Sequence, residues 1–134
     1  RLELRNCQVR HADMYRLPWP DGSFAAVTLH QVLHFADDPE AVLEEATRVL
    51  APGGRLVLVD LLRHDIEGFR SERRHRRLGF DLEEISTWFA RLGLQEDTPQ
   101  RLDGESLSVV IWSARRLAEV AREDPIPVSG RRAA

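Results

Sequence analysis

Two strand-length apolar runs, residues 24–29 (Phe-Ala-Ala-Val-Thr-Leu) and 56–59 (Leu-Val-Leu-Val), flank a stretch patterned as an amphipathic helix. Asp38 can cap that helix, and Pro39 opens it at a position where proline's missing N–H costs nothing. Val42, Ala46, Val49 and Leu50 recur at helical spacing, while Glu40, Glu44, Glu45 and Arg48 fall mainly outside that stripe. Pro52-Gly53-Gly54 then stops the helix and leads at once into the second run, which ends at Asp60. Neither run alternates with charged residues, so each reads as a strand buried on both faces. Strand, helix and strand joined by short turns pair the two strands in parallel under helical cover. The fold class is α/β.

The flanking segments extend this unit. Cys7-Gln8-Val9-Arg10 reads as a short strand ahead of a proline- and glycine-punctuated loop, residues 14–23. Residues 63–78 are charged and read as a helix or ordered loop. Asp81 and Glu84 form a capping pair before Ile85, Trp88, Phe89 and Leu92, and Gly93 closes that helix. Residues 94–102 and 106–112 read as strands joined by a turn at Asp103-Gly104, and consecutive strands with no helix between them pair antiparallel. One domain over residues 1–116 follows, with a tail at 117–134 that frays after a short helix.

Composition narrows the chemistry. All 19 basic residues are arginine, which excludes a lysine Schiff base or lysine general base. A net charge of −3 offers no basic excess for nucleic acid. Cys7 is the single cysteine, so an internal disulfide is impossible, which fits a reducing, cytoplasmic setting. No apolar run reaches membrane-spanning length. The chain begins at Arg1 and its one methionine is Met14, so a fragment or a processed chain is expected.

The combination of Leu17-Pro18-Trp19-Pro20-Asp21-Gly22-Ser23-Phe24, Val32-Leu33-His34-Phe35 and Arg48-Val49-Leu50-Ala51-Pro52-Gly53-Gly54-Arg55 running into Leu56–Asp60 resembles class I S-adenosylmethionine-dependent methyltransferases. The likeness is to the ubiquinone-biosynthesis type, and residues 74–80 resemble more particularly methyltransferases fused behind a winged-helix metalloregulator. It implies a partial Rossmann-like sheet, with parallel strands and an antiparallel C-terminal hairpin in the family order 3-2-1-4-5-7-6. The N-terminal strands and the glycine loop are missing from this chain. The resemblance further implies that the Asp13 carboxylate accepts the adenine amino group and that the Met14 amide meets an adenine ring nitrogen. Leu29 and His30 would face the methionine part of the cofactor. Without the resemblance, Asp13 reads as a turn or cap residue and His30 as a packed or capping histidine. Two departures stand out. Ala25 occupies a position where the family usually carries aspartate, and the glycine loop with its following ribose-binding acid is not in the sequence. Gly53-Gly54 cannot substitute, since it leads from helix to strand. S-adenosylmethionine binding by this chain alone is therefore expected to be weak or absent.

Other candidates are weaker. His64, Asp65 and His75 follow the second apolar strand, and either histidine could act as a base, or the segment is simply a solvated connection. Arg70, Arg73, Arg74, Arg76 and Arg77 are interleaved with Glu67 and Glu72 and read as an exposed helical face. No metal-ligand spacing, nucleophile elbow or phosphate loop occurs, and no catalytic residue is assigned. Three readings result: methyl transfer to a small-molecule acceptor, a non-catalytic module acting by self-association, or the effector domain of a regulator. The topology also leaves residues 24–29 as an apolar sheet edge, a route to homo-oligomers, with residues 7–10 expected to be either disordered or paired with another chain.

Overall fold

The computed structural model describes residues 6–66 and 76–118. They form β1 (Phe24–His30), a 3-10 turn (Leu33–Phe35), α1 (Pro39–Val49) and β2 (Leu50–Leu61). These are followed by α2 (Leu82–Arg91), β3 (Leu94–Glu96), β4 (Gln100–Asp103) and β5 (Ser108–Arg116). Asp38 caps α1 as its sequence dictates, its Oδ1 accepting the Ala41 amide at 3.2 Å. At the other end, the Arg116 guanidinium donates to the carbonyls of Thr47 and Leu50, two of the groups a helix terminus leaves unmatched. In α2 the Glu84 carboxylate reaches back to the Asp81 amide at 3.4 Å.

The sheet runs β1-β2-β5-β3, with β4 also on β5. β1 and β2 are parallel, and β5 is antiparallel to β2, β3 and β4. The last strand in sequence thus lies between β2 and the strands before it, the insertion that the resemblance implied. Val27 lies opposite Leu56 and Leu29 opposite Leu58, which in turn faces Trp112. These side chains share one face of the sheet. α1 supplies Val42, Leu43 and Ala46 to that face, and α2 supplies Ile85 and Phe89, in one buried cluster. Each such large apolar side chain contributes about 1.5–3 kcal/mol of transfer free energy.

Several expectations are corrected. Residues 7–10 form no strand; they are exposed, Val9 fully so, because no described strand lies beside them. β1 is not buried on both faces. Ala26, Thr28 and His30 are exposed on the face away from α1 and α2, where no described element packs. The expected strand 94–102 splits at Pro99, whose missing N–H interrupts a ladder. β2 begins before the proline-glycine turn, so that Phe24 pairs with Leu50 but Ala26 with Arg55. A Cβ on Gly54 would stand 2.7 Å from the Ala51 carbonyl oxygen, which explains glycine in that excursion. Of the two forms expected for residues 63–78, residues 63–66 and 76–78 take the loop rather than the helix, and residues 67–75 and the tail from 119 lie outside the described residues.

Candidate functional site

In open α/β sheets ligands bind beyond the carboxyl ends of parallel strands. Here those ends belong to β1 and β2. His30 closes β1, exposed, opposite Val59. Gln31 follows at φ +53°, its amide donating to the Val59 carbonyl at 2.7 Å. This left-handed residue turns the chain sharply off the strand and into the 3-10 turn.

Directly below that turn sits a polar constellation. Asp60 is fully buried. Its Oδ1 accepts His34 Nδ1 at 2.6 Å and the Leu61 amide at 2.8 Å, and its Oδ2 accepts the Leu33 amide at 3.1 Å. With its ring hydrogen on Nδ1, His34 joins the two backbone amides as a third donor to this carboxyl group. The His34 carbonyl in turn accepts the amides of Arg76 and Arg77 at 2.8 and 3.0 Å. The chain from 76 to 80 then runs beside the end of β2: Phe80 N–H donates to Leu61, Arg63 N–H to Phe80, and His64 N–H to Leu78. Gly79 permits this, because its φ is +86° and a Cβ would lie 2.4 Å from the Leu62 carbonyl oxygen.

Asp13 and Met14 occupy a tight turn. Asp13 Oδ1 accepts the Tyr15 amide at 2.9 Å, and its carbonyl accepts the Arg16 amide at 3.0 Å. The Tyr15 hydroxyl accepts the Asp38 amide at 3.2 Å, which ties this turn to the start of α1. Since α1 starts where the chain leaves β1, the tie brings Asp13 and Met14 to the same end of the sheet as Leu29 and His30. Met14 and Leu29 are half-buried against the common core, while Asp13 and His30 are exposed.

The loop between them is held by Arg48. Its guanidinium donates to both Glu45 oxygens, to Asp21 Oδ1 at 2.8 Å and to the Trp19 and Leu17 carbonyls. The Leu17 amide also donates to Glu45. This guanidinium holds the Glu45 carboxyl below its ordinary range, and Glu45 and Asp21 push Arg48 further up. Beyond this loop an apolar groove of about 280 Å³ follows β1, walled by Leu17, Trp19, Phe24 and Leu29. Trp19 meets Phe24 edge to face at 5.2 Å.

The remaining candidates separate. His64 is half-buried, with Nδ1 accepting the Ile66 amide at 3.2 Å, and Asp65 is exposed. His75, Arg70, Arg73, Arg74, Glu67 and Glu72 lie outside the described residues. Arg76 pairs with Asp37 at 3.1 Å, and Arg77 with both Glu84 oxygens at 2.7 Å while lying over the Phe80 ring. Ala25 is exposed within β1. Among the described residues no helix is long and apolar enough to cross a membrane. Asp60 was missed as a functional candidate, and its one sequence signal is an acid closing an apolar strand.

Comparison with known proteins settles what this architecture is. Residues 1–58 match the methyltransferase domain family. A demethylmenaquinone methyltransferase of Thermus thermophilus is 47% identical over 62 residues, 45% of this chain and 28% of its own length. The fold is that of a class I methyltransferase. Among solved methyltransferases, an S-adenosylmethionine-dependent enzyme of Thermotoga maritima superposes with TM-score 0.65 at 23% identity, covering 78% of this chain and 62% of its own. A geranyl diphosphate methyltransferase in complex with S-adenosylmethionine gives TM-score 0.68 at 17% identity, over 81% and 57%. The chain spans less than a third of the length of the curated relatives it matches. The shared segment covers β1, α1 and the start of β2, where the sequence motifs lie.

Proposed function

We propose that this methyltransferase fold serves S-adenosylmethionine-dependent methyl transfer to a small-molecule acceptor in the cytoplasm. The observation that carries the reading is the convergence of the Asp13-Met14 turn with the carboxyl ends of β1 and β2. The residues present suit the cofactor's adenine. Asp13 is exposed and spends one lone pair of Oδ1 on the Tyr15 amide, which leaves acceptor capacity for an exocyclic amino group. The Met14 amide supplies a donor beside it. Leu29 and His30 border the position of the methionine part. When bound, the cofactor supplies a sulfonium methyl group, and the task of this chain is to bind, orient and exclude water. No residue is assigned as base.

Calorimetric titration with S-adenosylmethionine tests the reading. In the intact protein, Asp13→Ala weakens binding by about 1–3 kcal/mol, the scale of a lost buried hydrogen bond. Unchanged affinity removes Asp13 from the site. For the 134-residue chain alone, weak or absent binding is expected, and micromolar affinity overturns that expectation.

A second reading is favoured by the outer edge of β1, along which no strand pairs among the described residues. Without further strands on that edge, the chain associates with a second copy as a non-catalytic module. A regulator's effector domain is a variant of this reading, and a winged helix upstream in the gene would support it.

A further inference from the structure

The buried His34–Asp60 pair takes part in none of the roles above. It is also an unusual way to fill space. An apolar pair of similar volume is often as stable as a buried polar one, whereas a buried carboxyl group must be matched by hydrogen-bond partners. Every donor to Asp60 named above comes from one of two places, the turn after β1 (Leu33, His34) and the end of β2 (Leu61).

We propose that His34 is a positioning residue: clamped by Asp60, it locks the turn after β1 and the 76–80 segment into one rigid border around the carboxyl ends of β1 and β2. The argument runs through the backbone. The Leu33 amide and the His34 imidazole both bind Asp60, and the Phe35 amide donates to the Val32 carbonyl at 3.1 Å; together these bonds fix the orientation of the peptide that carries the His34 carbonyl. Two amides, from Arg76 and Arg77, converge on that single oxygen. Both of its lone pairs are used, so a rotation of the peptide releases both bonds. Beyond them Arg77 is bound to Glu84 in α2, and Phe80 to Leu61 in β2. His34 therefore ties three stretches distant in sequence to one another at the ligand end. What the border surrounds rests on the methyl-transfer reading; the lock itself does not.

Amide hydrogen exchange on the intact protein tests it, with turnover as a second readout. His34→Leu fills the space but removes the donor. His34→Asn keeps a donor where Nδ1 stands. In His34→Leu the amides of Leu33, Arg76 and Arg77 exchange roughly tenfold faster or more, while Leu58 and Trp112 in the β2–β5 ladder hold their rates. His34→Asn returns them to within about threefold of the parent. In methyl transfer, His34→Leu raises the acceptor KM by roughly tenfold with a smaller change in kcat, and His34→Asn recovers it. Parent-like exchange in His34→Leu overturns the proposal. So does an Asn variant no better than Leu, or a uniform loss of protection throughout the sheet. If His34→Leu does not fold, Asp60→Asn is judged on the same amides. A parent protein without methyl transfer but with this exchange pattern would sink the proposed function and leave the lock standing.

Discussion

Gly79 and Gly53 show how residues of one kind hold their places for different reasons. Both have positive φ, but a Cβ at Gly53 meets open space, whereas one at Gly79 runs into the Leu62 backbone at 2.4 Å. Gly53→Ala is expected to cost about 1 kcal/mol, the strain of the backbone alone. Gly79→Ala is expected to cost roughly 3 kcal/mol or more, since backbone cannot step aside as a flexible side chain does. Urea denaturation of the two variants checks the ordering, and equal losses would refute the clash. The Glu45–Arg48 pair makes a pH prediction. Glu45 sits below its ordinary value of 4.5, with the bond to Arg48 the largest cause. Its contribution is fully present above 4.5 and is lost as pH falls through the lowered value. Arg48→Met should flatten that acid limb in urea midpoints measured from pH 6 to pH 3. At this scale Asp38 and Pro39 were legible because a cap acts within four residues. The His34–Asp60 pair was not, because its partners lie 26 positions apart and meet only in the sheet.

Elements were legible where periodicity and punctuation agreed. α1 starts at Pro39 and α2 follows Asp81, each with its apolar stripe buried. Asp38→Ala should lower stability by about 1 kcal/mol through the lost bond to the Ala41 amide, which a shift in thermal midpoint would register. Strands were read less well, for a physical reason: a strand is defined by its partner. Residues 7–10 have strand composition but pair with no strand among the described residues, and they are exposed. Residues 24–29 pair on one side only among the described residues, so the continuous apolar run predicted burial that half of its side chains do not find. Leu102 belongs to β4, yet that strand is exposed throughout, because it pairs at the margin of β5.

For the whole molecule, the placement of β5 between β2 and β3 was legible only through the family resemblance, since periodicity says that strands exist and not which edge they take. The same topology yields the prediction with the widest reach. β1 bonds to β2 along one edge, and its sequence carries no charged residue to discourage pairing along the other. The groove beside that edge is apolar, walled by Trp19, Phe24 and Leu17. Burying it against another strand would satisfy the backbone and remove apolar surface together. The 134-residue chain at micromolar concentration is therefore expected to sediment as a dimer or larger assembly. Thr28→Lys should return it to a monomer without unfolding it. Thr28 is exposed on the face away from the helices, opposite Val57, so a lysine there reaches solvent in the monomer but meets its own copy across a new β1 pairing. A parent chain that sediments as a folded monomer at every concentration would refute edge pairing, and would mean that the groove is too shallow to hold a second strand.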